Sequence, residues 1–171
     1  MLESAVRWIQ RYALAEGGIA VSSQQRVAYP EVTGYYIPTL LGLGERALAQ
    51  RFSDWLVAVQ RSDGAFVGPG TDQAFAFDTG QVVRGWVALL PTQPSVAEPL
   101  RRACDWLLAA SDESTGRLPV PPPGGAWSLG PRGEVSEAIH LYVLAPLRGA
   151  AELLNEPRYG RFVTKSLDYY L

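Results

Sequence analysis

Three carboxylates stand where chemistry would need them, each in a polar cluster that opens an apolar stretch. Glu31 lies in Tyr29-Pro-Glu31-Val-Thr33-Gly34-Tyr35, and Asp78 in Phe77-Asp78-Thr79-Gly80-Gln81. Glu137 lies in Glu134-Val-Ser136-Glu137-Ala138-Ile-His140. Paired carboxyl groups in one cleft act as acid and base in glycoside hydrolysis. Glu31, Asp78 and Glu137 are therefore the candidate catalytic residues. Tyr35, Tyr36, Phe77 and Trp127 offer flat faces for sugar rings. Gln81 and His140 complete the candidate substrate-binding set. Tyr35 or Tyr36 with His140 would instead serve proton abstraction, as a lyase or epimerase requires.

Each of these residues also has a plainer role. Asp78 precedes a predicted helix, where Asp caps free backbone N–H groups. Glu31 follows Pro30 in a first turn, where a carboxylate suits the helix dipole. Glu137 follows Ser136 and reads the same way. His140 lies in an apolar stretch and fits a hydrogen-bonded core histidine. Arg84 needs a carboxylate partner or a ligand anion, and a salt bridge to a neighbouring helix is the simpler expectation.

Composition removes several classes. Lys and Arg number 15 against 17 Asp and Glu, for a net charge of -2, so the basic excess of a general nucleic-acid binder is missing. Cys104 is the sole cysteine and His140 the sole histidine, which leaves no intramolecular disulfide and no Cys- or His-rich metal site. Neither a metal nor a cofactor is expected. No apolar run is long enough to span a membrane. The first residues lack the basic and apolar regions of a secretion signal, so a cytoplasmic location is expected.

The elements that must position these residues read as helices. Leu48, Phe52, Trp55, Leu56 and Val59 recur three to four apart, with Glu45, Arg46, Arg51 and Asp54 on other faces. Val96, Leu100, Ala103, Leu107 and Leu108 repeat the pattern. Between them, 34–43, 82–90 and 138–147 are apolar nearly all round, which marks buried helices, and Pro38 should kink the first. The aromatics Trp8, Trp55, Trp106 and Tyr169 recur roughly every 50 residues, a length that suits a helical hairpin with its loops. A turn follows each Trp: Gly17-Gly18-Ile19, Gly64-Ala65-Phe66 and Gly116-Arg117-Leu118. Trp55 and Trp106 read as core packing. Half-buried and buried helices thus alternate along 1–171. The predicted architecture is one all-α domain of about three and a half helical hairpins, forming an α/α toroid or an arc of one. An open solenoid is the rival arrangement. An incomplete ring would be completed by a second copy or by a missing half.

The segment Trp55-Leu56-Val-Ala-Val-Gln60-Arg-Ser-Asp63-Gly64-Ala-Phe66 resembles the repeat of the α/α toroid superfamilies. The terpenoid cyclase and prenyltransferase-like group carries a related element, and the six-hairpin glycosidase-like group has a similar rhythm. Tyr29-Pro-Glu-Val-Thr-Gly-Tyr35 together with Phe77-Asp-Thr-Gly-Gln81 looks most like toroid proteins of bacterial polysaccharide biosynthesis. The chain lacks the Asp-rich cluster of squalene-type cyclases and the Cys and His ligands of protein prenyltransferases and lanthionine cyclases. The resemblance implies a carbohydrate-active protein that acts on or binds an oligosaccharide or polysaccharide. The alternatives are a non-catalytic scaffold that binds a glycan or protein, and a prenyl- or terpenoid-handling protein with a deep, dry, aromatic tunnel.

Overall fold

The computed structural model describes residues 2–120 and 137–171. Seven α-helices occur among them: α1 (Leu2–Tyr12), α2 (Pro30–Gly42), α3 (Arg46–Val59), α4 (Ala76–Leu89), α5 (Ala97–Ala110), α6 (Leu141–Leu153) and α7 (Pro157–Tyr170). Short 3-10 turns, Pro94–Val96 and Glu137–His140, lead into α5 and α6. Three isolated β-bridges, and no longer strands, join loop segments among the described residues.

Two kinds of helix are present, and side-chain patterning separates them. α3 buries one stripe, Ala49, Phe52, Ser53 and Leu56, and α5 buries Leu100, Ala103, Cys104 and Leu107. α7 does the same with Tyr159, Phe162, Val163 and Ser166. α4 differs: it buries both its apolar residues and the polar set Asp78, Thr79 and Gln81. It lies between α2 and α6 and also packs on α5, while α3 backs α2 and α7 backs α6. The chain therefore forms three consecutive helical hairpins. Their first helices lie side by side and their second helices back them.

Small residues set the spacing of α2 and α4. A Cβ at Gly34 would lie 2.7 Å from the Gln81 carbonyl oxygen, and one at Gly85 would lie 2.7 Å from the Gly34 carbonyl oxygen. Only glycine permits this approach. Toward α3, the buried Trp86 indole of α4 donates to Ser53 Oγ at 3.1 Å and meets the Phe66 ring edge-on at 5.6 Å.

The sequence repeat has a structural counterpart in a backbone clamp. Ile19 N–H donates to Thr33 Oγ1 at 3.2 Å, and Phe66 N–H donates to Thr79 Oγ1 at 3.1 Å. In return, Tyr29 N–H donates to the Ile19 carbonyl and Phe75 N–H to the Phe66 carbonyl, both at 3.3 Å. Tyr29 and Phe75 are the N-cap residues immediately before α2 and α4. In the third unit Leu118 N–H donates to the Tyr170 hydroxyl at 3.0 Å instead. The turn glycines two residues earlier, Gly17, Gly64 and Gly116, all have positive φ, and each lies against the next backing helix, at Trp55, Arg102 and Ser166.

Some expectations change. α2 and α4 begin at Pro30 and Ala76, ahead of the apolar runs at 34 and 82, because their polar first turns are already helical. α6 begins at Leu141, after the 3-10 turn, and α2 continues through Pro38. The first helices are not enclosed all round. Tyr35 on α2 is 50% exposed, Tyr142 on α6 is 63% exposed, and Arg84 on α4 is exposed. Trp55 and Trp106 are half-buried and pack against the core, whereas Trp8 is exposed.

Candidate functional site

The repeat clamp brings the starts of α2 and α4 together, and with them two of the three candidate carboxyl groups. Asp78 is in the first turn of α4 and fully buried. It is not a helix cap: Phe75 occupies that position, and no side chain caps the helix. Asp78 Oδ2 accepts a hydrogen bond from the Tyr29 hydroxyl at 3.0 Å. Its other oxygen, Oδ1, has no partner, and neither has the buried Oε1 of Gln81 one turn on. Buried acceptors left without a donor are uncommon in folded proteins and call for a cause.

Glu31 sits half-buried in the first turn of α2, two residues from Tyr29. Burial pushes its carboxyl up to about 7. Asp78 also rises to about 7, mainly through burial; the Tyr29 hydrogen bond opposes the rise, and the Glu31 charge adds to it. Burial and the adjacent Asp78 raise the Tyr29 hydroxyl, so it stays protonated and acts as a donor. The cluster thus holds two carboxyl groups that retain protons near neutrality and a phenol that keeps its own. Beside it lies a cleft of about 400 Å³, walled by Val21, Tyr29, Pro69 and Phe75 with Gln25 and Gln73. Gly68 also lines this cleft, and a Cβ there would lie 3.7 Å from Asp78 Oδ2. Asp78 therefore stands behind the wall formed by Tyr29 and Gly68.

Glu137 belongs to a different cluster. Its carboxylate accepts two hydrogen bonds from the Arg117 guanidinium, at 2.6 and 2.9 Å, and that pairing holds it below the usual range. Next to it, His140 is buried, and its Nδ1 lies 3.1 Å from the Tyr170 hydroxyl. That hydroxyl also accepts from Leu118 N–H, and the imidazole tautomer sets which group donates in the His140–Tyr170 bond. Burial lowers His140 to about 4. Glu137 is shifted by its Arg117 partner, whereas Asp78 feels the Tyr29 hydrogen bond and the Glu31 charge.

The remaining candidates scatter. Tyr35 packs edge-on against Tyr36 at 6.2 Å, and the Arg84 guanidinium stands 5.4 Å from the Tyr35 ring. The His140 ring meets Tyr170 at 6.0 Å, and among the described residues neither Tyr35 nor Tyr36 bonds to it. Phe77 is half-buried and packs against the core. Gln81 is buried on α4. Trp127 lies outside the described residues. Among the described residues Arg84 forms no salt bridge to a neighbouring helix; its guanidinium faces the Tyr35 ring. Sequence reasoning quoted Tyr29 without giving it a role, and it left Gly68, Gln25 and Gln73 unmarked. The matched Thr33 and Thr79 were the available signal, because aligning them sets Tyr29 beside the first turn of α4.

Among the described residues, no group of three or more His, Cys, Asp or Glu side chains is placed to hold a metal. No described helix is long and apolar enough to cross a membrane. Compared with protein-family models and with curated proteins, the chain matches none.

Proposed function

We propose that this protein is a carbohydrate-active enzyme built as an arc of an α/α toroid, with its reactive centre at Tyr29, Glu31 and Asp78. The observation that carries the reading is a fully buried Asp78 with one oxygen on Tyr29 and the other without a partner, next to a second raised carboxyl group. Burial raises both carboxyl groups to about 7, so near neutrality each is partly protonated and can act as acid or as base. Glu31 is the group half-open to solvent and takes the proton-transfer role. Asp78 is enclosed, accepts a hydrogen bond from the Tyr29 hydroxyl and so holds the tyrosine ring that walls the cleft. The mixture of apolar walls and glutamine amides suits a sugar, which presents apolar faces and a rim of hydroxyls. The hairpin layers support the arc, with α2, α4 and α6 as the inner wall.

Hydrolysis is the reaction this centre supports best, because it needs both an acid and a base. A glycan-binding module is the second reading, favoured by the enclosure of Asp78. The test is a panel of neutral and acidic oligosaccharides, assayed for binding and for shortened products by mass. The enzyme reading expects products from the wild type and a loss of at least about 100-fold in Glu31→Gln, with the variant folded and no less stable than the wild type. Binding without products would favour the module. Neither binding nor products would overturn both.

A further inference from the structure

A second concavity, separate from the cleft beside Tyr29, runs between α4 and α6 on the open side of the first helices. It encloses about 550 Å³, within the range of small-molecule sites. Val87, Leu141, Ala145 and Pro146 make its floor aliphatic, and Tyr142 stands at its edge. Arg84 is the one charged residue among the described residues that line it. Among the described residues the guanidinium forms no ion pair; it rests over the exposed Tyr35 ring, and Arg84 lines the α4 side of the groove. An arginine so placed keeps its donor fork open for an anion. The aliphatic stretch from Ala138 to Pro146 is roughly 12 Å long by helical rise.

We propose that this groove binds a monomeric single-chain amphiphile, with its aliphatic chain along α6 and its anionic head on Arg84. The aliphatic floor takes the chain by burial of apolar surface. A neutral chain would gain that burial and nothing at Arg84, whereas a small anion would find one exposed guanidinium and no enclosing donors. The two features must therefore act together on one ligand. This inference does not depend on the reaction assigned to Glu31 and Asp78.

The experiment is calorimetric titration of the full chain with decanoate, decanol and acetate, each below its aggregation limit. Two variants accompany it. Arg84→Gln removes the charge from an exposed position, and Ala145→Trp fills the groove from an exposed position on α6. The expected result is decanoate binding at least tenfold tighter than decanol, with acetate not detected. Arg84→Gln should bring decanoate to the level of decanol, and Ala145→Trp should abolish both. Equal binding of decanoate and decanol, or decanoate binding unchanged in either variant, would overturn the proposal. So would capture by anionic vesicles in the absence of any binding to monomeric decanoate.

Discussion

Asp78 has surrendered all contact with water, and a carboxyl group in that position holds its proton to higher pH. The consequence for stability has a definite sign. The unfolded chain ionises Asp78 near its ordinary value of 3.8, whereas the folded chain does so at about 7. Between those values the folded state binds more protons, so stability falls as pH rises and levels off above about 7. For a shift of this size the loss is on the order of 4 kcal/mol. Glu31 adds a loss of the same sign. Asp78→Asn keeps an acceptor for the Tyr29 hydroxyl and removes the ionisation. Thermal unfolding from pH 4 to pH 8 should show a falling midpoint in the wild type and a shallower fall in the variant. Parallel curves would show that Asp78 ionises as an ordinary carboxylate.

At the scale of elements, the turn and the clamp threonine position the site. Gly64 has φ +97, and a Cβ there would collide with the Arg102 carbonyl on α5. Gly70 also has positive φ, at +74, but meets nothing within 4 Å. Gly70→Ala should cost about 1 kcal/mol, the strain of a left-handed backbone alone. Gly64→Ala adds the collision and should cost at least about 3 kcal/mol. Thr79→Val keeps the shape but leaves the Phe66 N–H buried without an acceptor, at about 1–3 kcal/mol. Urea unfolding separates these values, and equal costs for the two glycine variants would remove the turn from its structural role. The same turns explain why so much of the fold was legible in the sequence. Gly17, Gly64 and Gly116, each followed two residues later by a large apolar residue, mark a local geometry that repeats with every hairpin. The cleft was less legible. Tyr29 meets Asp78 only because Thr33 and Thr79 hold equivalent places in different hairpins, a relation between distant segments. Glu137 looked equivalent to Glu31 in its local sequence, but Arg117, twenty residues earlier, takes both its oxygens.

Across the whole molecule, α4 is the centre, with α2 and α6 on either side and α5 behind. Both candidate sites are built on it, at different places. Asp78 in its first turn faces α2, while Arg84 and Val87, further along, border the groove with α6. The layered hairpins leave Tyr35, Arg84 and Tyr142 open along the first helices, where a wholly buried layer had been expected from their apolar composition. A glycan on the cleft and an amphiphile in the groove would therefore perturb distinct parts of one chain. That separation gives the central claim its most direct test. The measurement is backbone amide chemical-shift mapping during titration with the oligosaccharide that gives the strongest signal in the panel. Shifts confined to the first turns of α2 and α4 and to residues 66–75 are predicted, with Glu31→Gln weakening them. Shifts centred on Arg84, Leu141 and Tyr142, or on the Arg117–Glu137 pair, would contradict it.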